Sequence, residues 1–186
     1  VNSQWQLHQK LLPWNLSDSE HFGDVVELND EYAFVRSDRF VNIFKLVADQ
    51  YIPYQLIEVD NLDERINSLA VHDDVLLIGN KHQVDAYKQL ENRFGYWGYM
   101  SRYQVGETFG NCIDLDADRI IVSEYGDSLG GTVHIYNYDV SGSTISAVRE
   151  SFFNLPDATA SQFGKALLIQ GDLAVASAPG YTITEN

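Results

Sequence analysis

The chain has 186 residues, 45% of them hydrophobic, enough for one sizeable core as a single domain or as part of a larger one. Its 27 acidic and 12 basic residues leave a formal charge of −15, which repels phosphate backbones and excludes nucleic acid as an expected partner. Cys112 is the single cysteine, so no intramolecular disulfide forms, and no apolar run approaches the roughly 18 residues of a membrane-spanning helix.

Self-similarity organises the chain. His21-Phe22-Gly23-Asp24-Val25-Val26-Glu27-Leu28 superimposes without gaps on Thr108 to Leu115 and on Gln162 to Ile169, each with Phe-Gly at the same place. A degenerate copy, Arg65 to His72, lacks Phe-Gly, yet its continuation Asp74 to Gly79 matches Asp172 to Ser177. With Phe22, Arg65, Phe109 and Phe163 as equivalents, the copies lie 43, 44 and 54 residues apart. That is the length of a unit of four short strands, about 40 to 50 residues.

In chain order, the first unit spans about 22–59, with Phe40-Val41-Asn42-Ile43-Phe44 alternating as a half-buried third strand. The second spans about 65–105 and places Gln83-Val84-Asp85-Ala86-Tyr87 at the matching position. The third, about 109–153, reads as strands 110–116, 119–123, 132–138 and 144–152, separated by Asp-, Gly- and Ser-rich turns. A partial fourth runs from 163 to 186, and no helical period persists anywhere.

These units resemble the FG-GAP repeat family of integrin α-chain propellers and many secreted bacterial proteins. Beyond the Phe-Gly pairs, Ala176-Ser177-Ala178-Pro179-Gly180 stands where that family has Gly-Ala-Pro, and Trp5 to Pro13 is similar to the outer strand that precedes Phe-Gly in bacterial members. The resemblance implies an all-β fold, a β-propeller segment of four-stranded antiparallel blades with about three full blades and parts of flanking ones. Each Phe is expected to wedge between neighbouring blades while its Gly lets the innermost strand crowd inward. The region 1–186 then reads as a piece of a larger propeller, completed by further sequence or by another chain.

Several motifs invite chemistry. Asp114, Asp116 and Asp118 alternate as in a calcium loop, but Arg119-Ile120-Ile121-Val122 replaces the glycine and final acid such a loop needs. A plain turn is the preferred reading, with no cofactor expected and these three aspartates as the place to look for calcium. Gly126-Asp127-Ser128-Leu129 matches a serine-esterase tetrapeptide, but a Gly-Gly-Thr strand follows it and no Asp-x-x-His occurs, so an ordinary loop is preferred. The five histidines show no metal-ligand spacing. Phe94-Gly95-Tyr96-Trp97-Gly98-Tyr99-Met100 is unusually aromatic for an outer strand, and Tyr96, Trp97 and Tyr99 are the candidate ligand-binding residues.

The sequence therefore predicts an extracellular or cell-surface, non-catalytic module for protein recognition, adhesion or assembly. A glycan-binding propeller is the alternative, and a serine esterase at Ser128 the third reading.

Overall fold

The computed structural model describes residues 4–14, 21–59, 65–101, 108–124, 130–155 and 162–181. Among them the fold is all-β, with no helix, as the residue pattern predicts. Strands β1 (Val26–Leu28), β2 (Tyr32–Ser37), β3 (Phe40–Val47) and β4 (Gln50–Glu58) form one antiparallel sheet in sequential order. Strands β5 (Ser68–His72), β6 (Val75–Gly79), β7 (Gln83–Leu90) and β8 (Arg93–Ser101) form a second, and β9 (Phe109–Leu115), β10 (Arg119–Glu124), β11 (Thr132–Asp139) and β12 (Ser146–Asn154) a third. A hairpin of β13 (Leu167–Gln170) and β14 (Leu173–Ala176) follows.

Burial explains why the sheets associate. Strands β2 and β6 are buried along their whole length, so both faces of each sheet need a cover. Neighbouring sheets supply it. Tyr32, Phe34, Val41 and Ile43 of the first sheet pack with Leu69, Leu76, Ile78 and Phe94 of the second. Ala70, Leu77, Val84 and Ala86, on the opposite face of the second sheet, pack with Ile113, Leu115, Ile120 and Val122 of the third. Ile121 and Val133 of the third meet Ile169 and Leu167 of the hairpin.

The Phe-Gly residues sit at these boundaries. Phe109 is 1% exposed within the cluster between the second and third sheets. Phe163 packs between the third sheet and the hairpin, and Phe22 between the first sheet and Leu11. Gly110 has φ +89°, and a Cβ there would stand 2.7 Å from the Gln83 carbonyl oxygen and 2.9 Å from that of Asn80, so the neighbouring sheet leaves room only for hydrogen. In the degenerate copy the spacing alignment is off by one in role. Arg65 is exposed, and Ile66 is the fully buried wedge, its N–H donating to the Asp38 carbonyl and its carbonyl accepting from the Arg36 guanidinium.

Each outer strand carries a bulge at its fifth residue. Tyr54, Trp97 and Glu150 are each the extra residue in the pairing with β3, β7 and β11. A cation from the same sheet attends each one. Lys45 lies 5.8 Å from the Tyr54 ring, Lys88 lies 5.5 Å from the Trp97 ring, and Arg119 reaches Glu150 at 3.3 Å.

Residues 4–14 form no strand, contrary to the expectation of an outer strand over Trp5 to Pro13. Their docking is nonetheless the one an outer strand uses in this chain. The Gln9 side-chain amide donates to the Tyr51 carbonyl at 2.7 Å and accepts from the Tyr51 N–H at 2.8 Å. The Gln55 amide makes the same two bonds with Phe94 of β8, at 2.9 and 2.7 Å. A glutamine amide here stands in for a peptide group, satisfying both polar atoms of an edge residue on the next sheet.

The wedge makes a quantitative demand. Phe109→Ala leaves a cavity between two sheets and should lower stability by about 3–5 kcal/mol, whereas the half-buried Phe22→Ala should cost clearly less. Urea denaturation of both variants measures the difference, and equal losses would refute a wedge role specific to the sheet boundary.

Candidate functional site

The bulge in β8 sorts the aromatic residues singled out above. Tyr96 pairs across from Tyr87, and Tyr99 from Asp85, while Trp97 is the inserted residue between them. The insertion turns Tyr96 and Tyr99 to the face that carries Asp85 and Tyr87, toward the first sheet, and turns Trp97 to the face toward the third. Tyr96 and Tyr99 remain 55% and 52% exposed. Trp97 instead packs on the core between the second and third sheets, its indole N–H buried and unpartnered. The structure therefore brings two of the three together and assigns the third to packing.

Tyr96 borders a cleft of about 560 Å³ between the end of the first sheet and the face of the second, lined by Glu58, Val59, Asn80, Gln83, Asp85, Tyr87 and Tyr96. Asn80 ends the second strand as a turn, its side-chain oxygen accepting from the N–H groups of His82 and Gln83 at 2.9 and 2.8 Å. That turn aims the Gln83 amide at Asp85, to which it donates at 2.9 Å. The Tyr96 ring stands edge-on to Tyr87 with centroids 5.5 Å apart, and its hydroxyl hydrogen-bonds the Asp85 carboxylate. Burial, then the negative charge of Asp85, pushes the Tyr96 hydroxyl up to about 12, so it remains a proton donor throughout the physiological range. Glu58, half exposed at the rim, pairs with Arg39 at 3.3 Å.

Corresponding positions in the other sheets are closed. The third residue of the third strand is Asn42, Asp85 and His134 in the three sheets, each almost fully buried. The Asn42 side chain accepts the Trp14 N–H at 3.1 Å and donates to Ser37 at 3.0 Å. His134 pairs with Glu124 at 3.2 Å beneath the rings of Phe109, Tyr136 and Phe152. Only the sequence alternation of Gln83, Asp85 and Tyr87 against Val84 and Ala86 hinted at a polar face here. Asn80 lies in the turn just before this strand, and Glu58 comes to it from the end of β4, which periodicity does not connect to it.

The aspartates of the calcium-like motif have structural partners. Asp114 accepts the N–H groups of Leu115 at 2.9 Å and Ile169 at 2.8 Å, the second from the following hairpin. Asp116 accepts those of Ala117 and Gly171. Asp118 lies exposed in the turn, and its backbone carbonyl accepts from Tyr138 at 3.1 Å. No group of three His, Cys, Asp or Glu side chains suited to a metal ion occurs among the described residues. Ser128 and its tetrapeptide lie outside the described residues.

Asp116 belongs to a line of contacts linking the first-to-second-strand turns. Asn29 donates to the Asp73 carbonyl at 2.9 Å, His72 lies 3.6 Å from Asp116, and Asp116 grips Gly171. No protein-family model matches the sequence, and no curated protein matches it.

The Gly171 and Ala117 N–H groups hold the Asp116 carboxyl below the usual range, so its contribution is complete at neutral pH and is lost as pH falls below its unfolded value of 3.8. Asp116→Ala should therefore lower Tm at pH 7 and do so less at pH 3, below the unfolded value. A constant difference at both pH values, read by calorimetry, would rule out the charged tether.

Proposed function

We propose that the chain is part of an FG-GAP-type β-propeller that serves extracellular recognition, adhesion or assembly rather than catalysis. The observation that carries this reading is the convergence of the first strands. Strands β1, β5, β9 and β13 neighbour one another in turn. Glu27, on β1 of the first sheet, is affected by the charge of Asp114, on β9 of the third. Sheets fanning from a common hub would bring their first strands side by side, and a fan of four-stranded meanders is the geometry of a propeller.

Recognition follows from where the polar groups are spent. Asp114, Asp116, Gln55 and Gln9 satisfy backbone atoms of neighbouring sheets, a scaffolding use of side chains that a metal loop would otherwise serve. On this reading calcium is dispensable, and EDTA should leave the thermal transition in place; a fall of several degrees, reversed by calcium, would contradict it.

The hub geometry has a direct test. Burial first, and Asp114 second, raises the Glu27 carboxyl above 4.5. Its ionisation then opposes folding as pH rises through that raised value, so Glu27→Gln should raise stability at pH 7 and leave it unchanged below pH 4. Carboxyl-detected NMR titration should show the Glu27 midpoint move back toward its ordinary value in Asp114→Asn, and an unmoved midpoint would argue against a fan. Hydrolysis of short-chain esters that disappears in Ser128→Ala would overturn the non-catalytic reading.

A further inference from the structure

The cleft beside Tyr96 combines groups that no packing requirement of the fold demands together. Its wall holds two carboxylates, Glu58 and Asp85, two amides, Asn80 and Gln83, and two tyrosines, Tyr87 and Tyr96. In the other two sheets the equivalent polar position is sealed, by the Trp14 N–H over Asn42 and by Glu124 against His134. Beside Asp85, itself 4% exposed, lies a cleft of about 560 Å³, within the size range of small-molecule sites, about 300–1,000 Å³.

We propose that this cleft binds an uncharged hexopyranose, as a free sugar or as the terminal residue of a glycan. A pyranose presents hydroxyl groups that donate and accept at the same carbon, and an apolar face of axial C–H groups. The cleft offers both counterparts. Glu58, half exposed at the rim, accepts, the Gln83 amide supplies N–H as well as C=O, and the Tyr96 hydroxyl oxygen can accept while its proton is held by Asp85. The Tyr96 ring, exposed by 55% and fixed edge-on against Tyr87, offers a rigid flat surface for the C–H face. Tyr99, 52% exposed on the same face opposite Asp85, extends that surface beyond the cleft and suits a second sugar ring.

Charge narrows the class. Two wall carboxylates in a chain of formal charge −15 disfavour sugars bearing carboxylate or sulfate. A compact cation would be drawn to the carboxylates but would gain nothing from the amide N–H groups or the flat ring area. The inference requires the cleft alone and stands apart from the hub geometry, so Glu27 titration and sugar binding can fail independently.

Saturation-transfer NMR on the full chain tests it, with methyl glycosides of galactose, glucose, mannose and N-acetylglucosamine as probes and 3′-sialyllactose and glucuronic acid as anionic controls. A printed array of neutral and sialylated glycans provides the terminal-residue arm. At least one neutral probe should give ring-proton saturation. Tyr96→Ala should weaken that binding about tenfold, the worth of one aromatic stacking contact. Gln83→Ala should weaken it comparably, Tyr96→Phe should retain most of the stacking effect, and Phe153→Ala, exposed on the third sheet, should change nothing. Circular dichroism verifies folding of each variant, and Gln83→Ala carries the test if Tyr96→Ala does not fold. The proposal is overturned by silence from every neutral probe and the array, by stronger binding of the anionic sugars, or by binding untouched in folded Gln83→Ala and Tyr96→Ala proteins.

Discussion

A four-stranded antiparallel meander with both faces apolar cannot be stable by itself, and every other feature of this chain answers to that constraint. Strands β2 and β6 are buried throughout, whereas β12 is largely exposed and β4 buries only Ile57, so burial is concentrated in the second strands. The faces must be closed where the inner strands lie. Ile66, Phe109 and Phe163 supply that closure at three successive boundaries. Each is delivered by the stretch that leads into a sheet's first strand, so a unit's own sequence also carries the piece that fastens it to the unit before.

Apolar contact alone would let such faces slide, because it carries no direction. The polar fastenings fix the register between sheets. Gln9 and Gln55 each clamp both the N–H and the carbonyl of one residue on the next outer strand, a geometry that a shift of one residue would break. At the second boundary glutamine is replaced by Gly98, whose missing Cβ lets the Thr144 hydroxyl and the Ile145 N–H reach the Trp97 carbonyl at 2.7 and 2.8 Å. Two different side-chain solutions thus satisfy the same need, edge-strand atoms that would otherwise face solvent or a wrong partner.

The four-strand units were legible because their cause is local. Phe-Gly pairs whose Gly takes positive φ recur in three of the four units, and Asp- and Gly-rich turns punctuate the strands between them. Legibility failed where tertiary contact decides. Ile66 could replace Phe because only burial at the boundary is required, and a spacing argument centred on Phe-Gly therefore pointed one residue early, to Arg65. The β8 bulge, invisible in the residue pattern, separates Trp97 from Tyr96 and Tyr99. The alternating Asp114, Asp116 and Asp118 look alike in sequence, but two of them meet the N–H groups of a hairpin some 55 residues away, at 169 and 171, and only the third is left to solvent.

The three buried polar positions Asn42, Asp85 and His134 show how a site arises within such a scheme. Each is the third residue of a third strand, and a polar residue there can bond a segment packed against it. Asn42 does so with the Trp14 N–H, and His134 turns instead to Glu124 within its own sheet. Asp85 accepts from Gln83 and Tyr96 of its own sheet, and Glu58 and Val59 at the end of the first sheet line the cleft beside it. The Asp85 carboxylate, held by an amide and a phenol, borders the cleft in a fixed orientation, and a polar group so placed can orient a ligand as well as stabilise a fold.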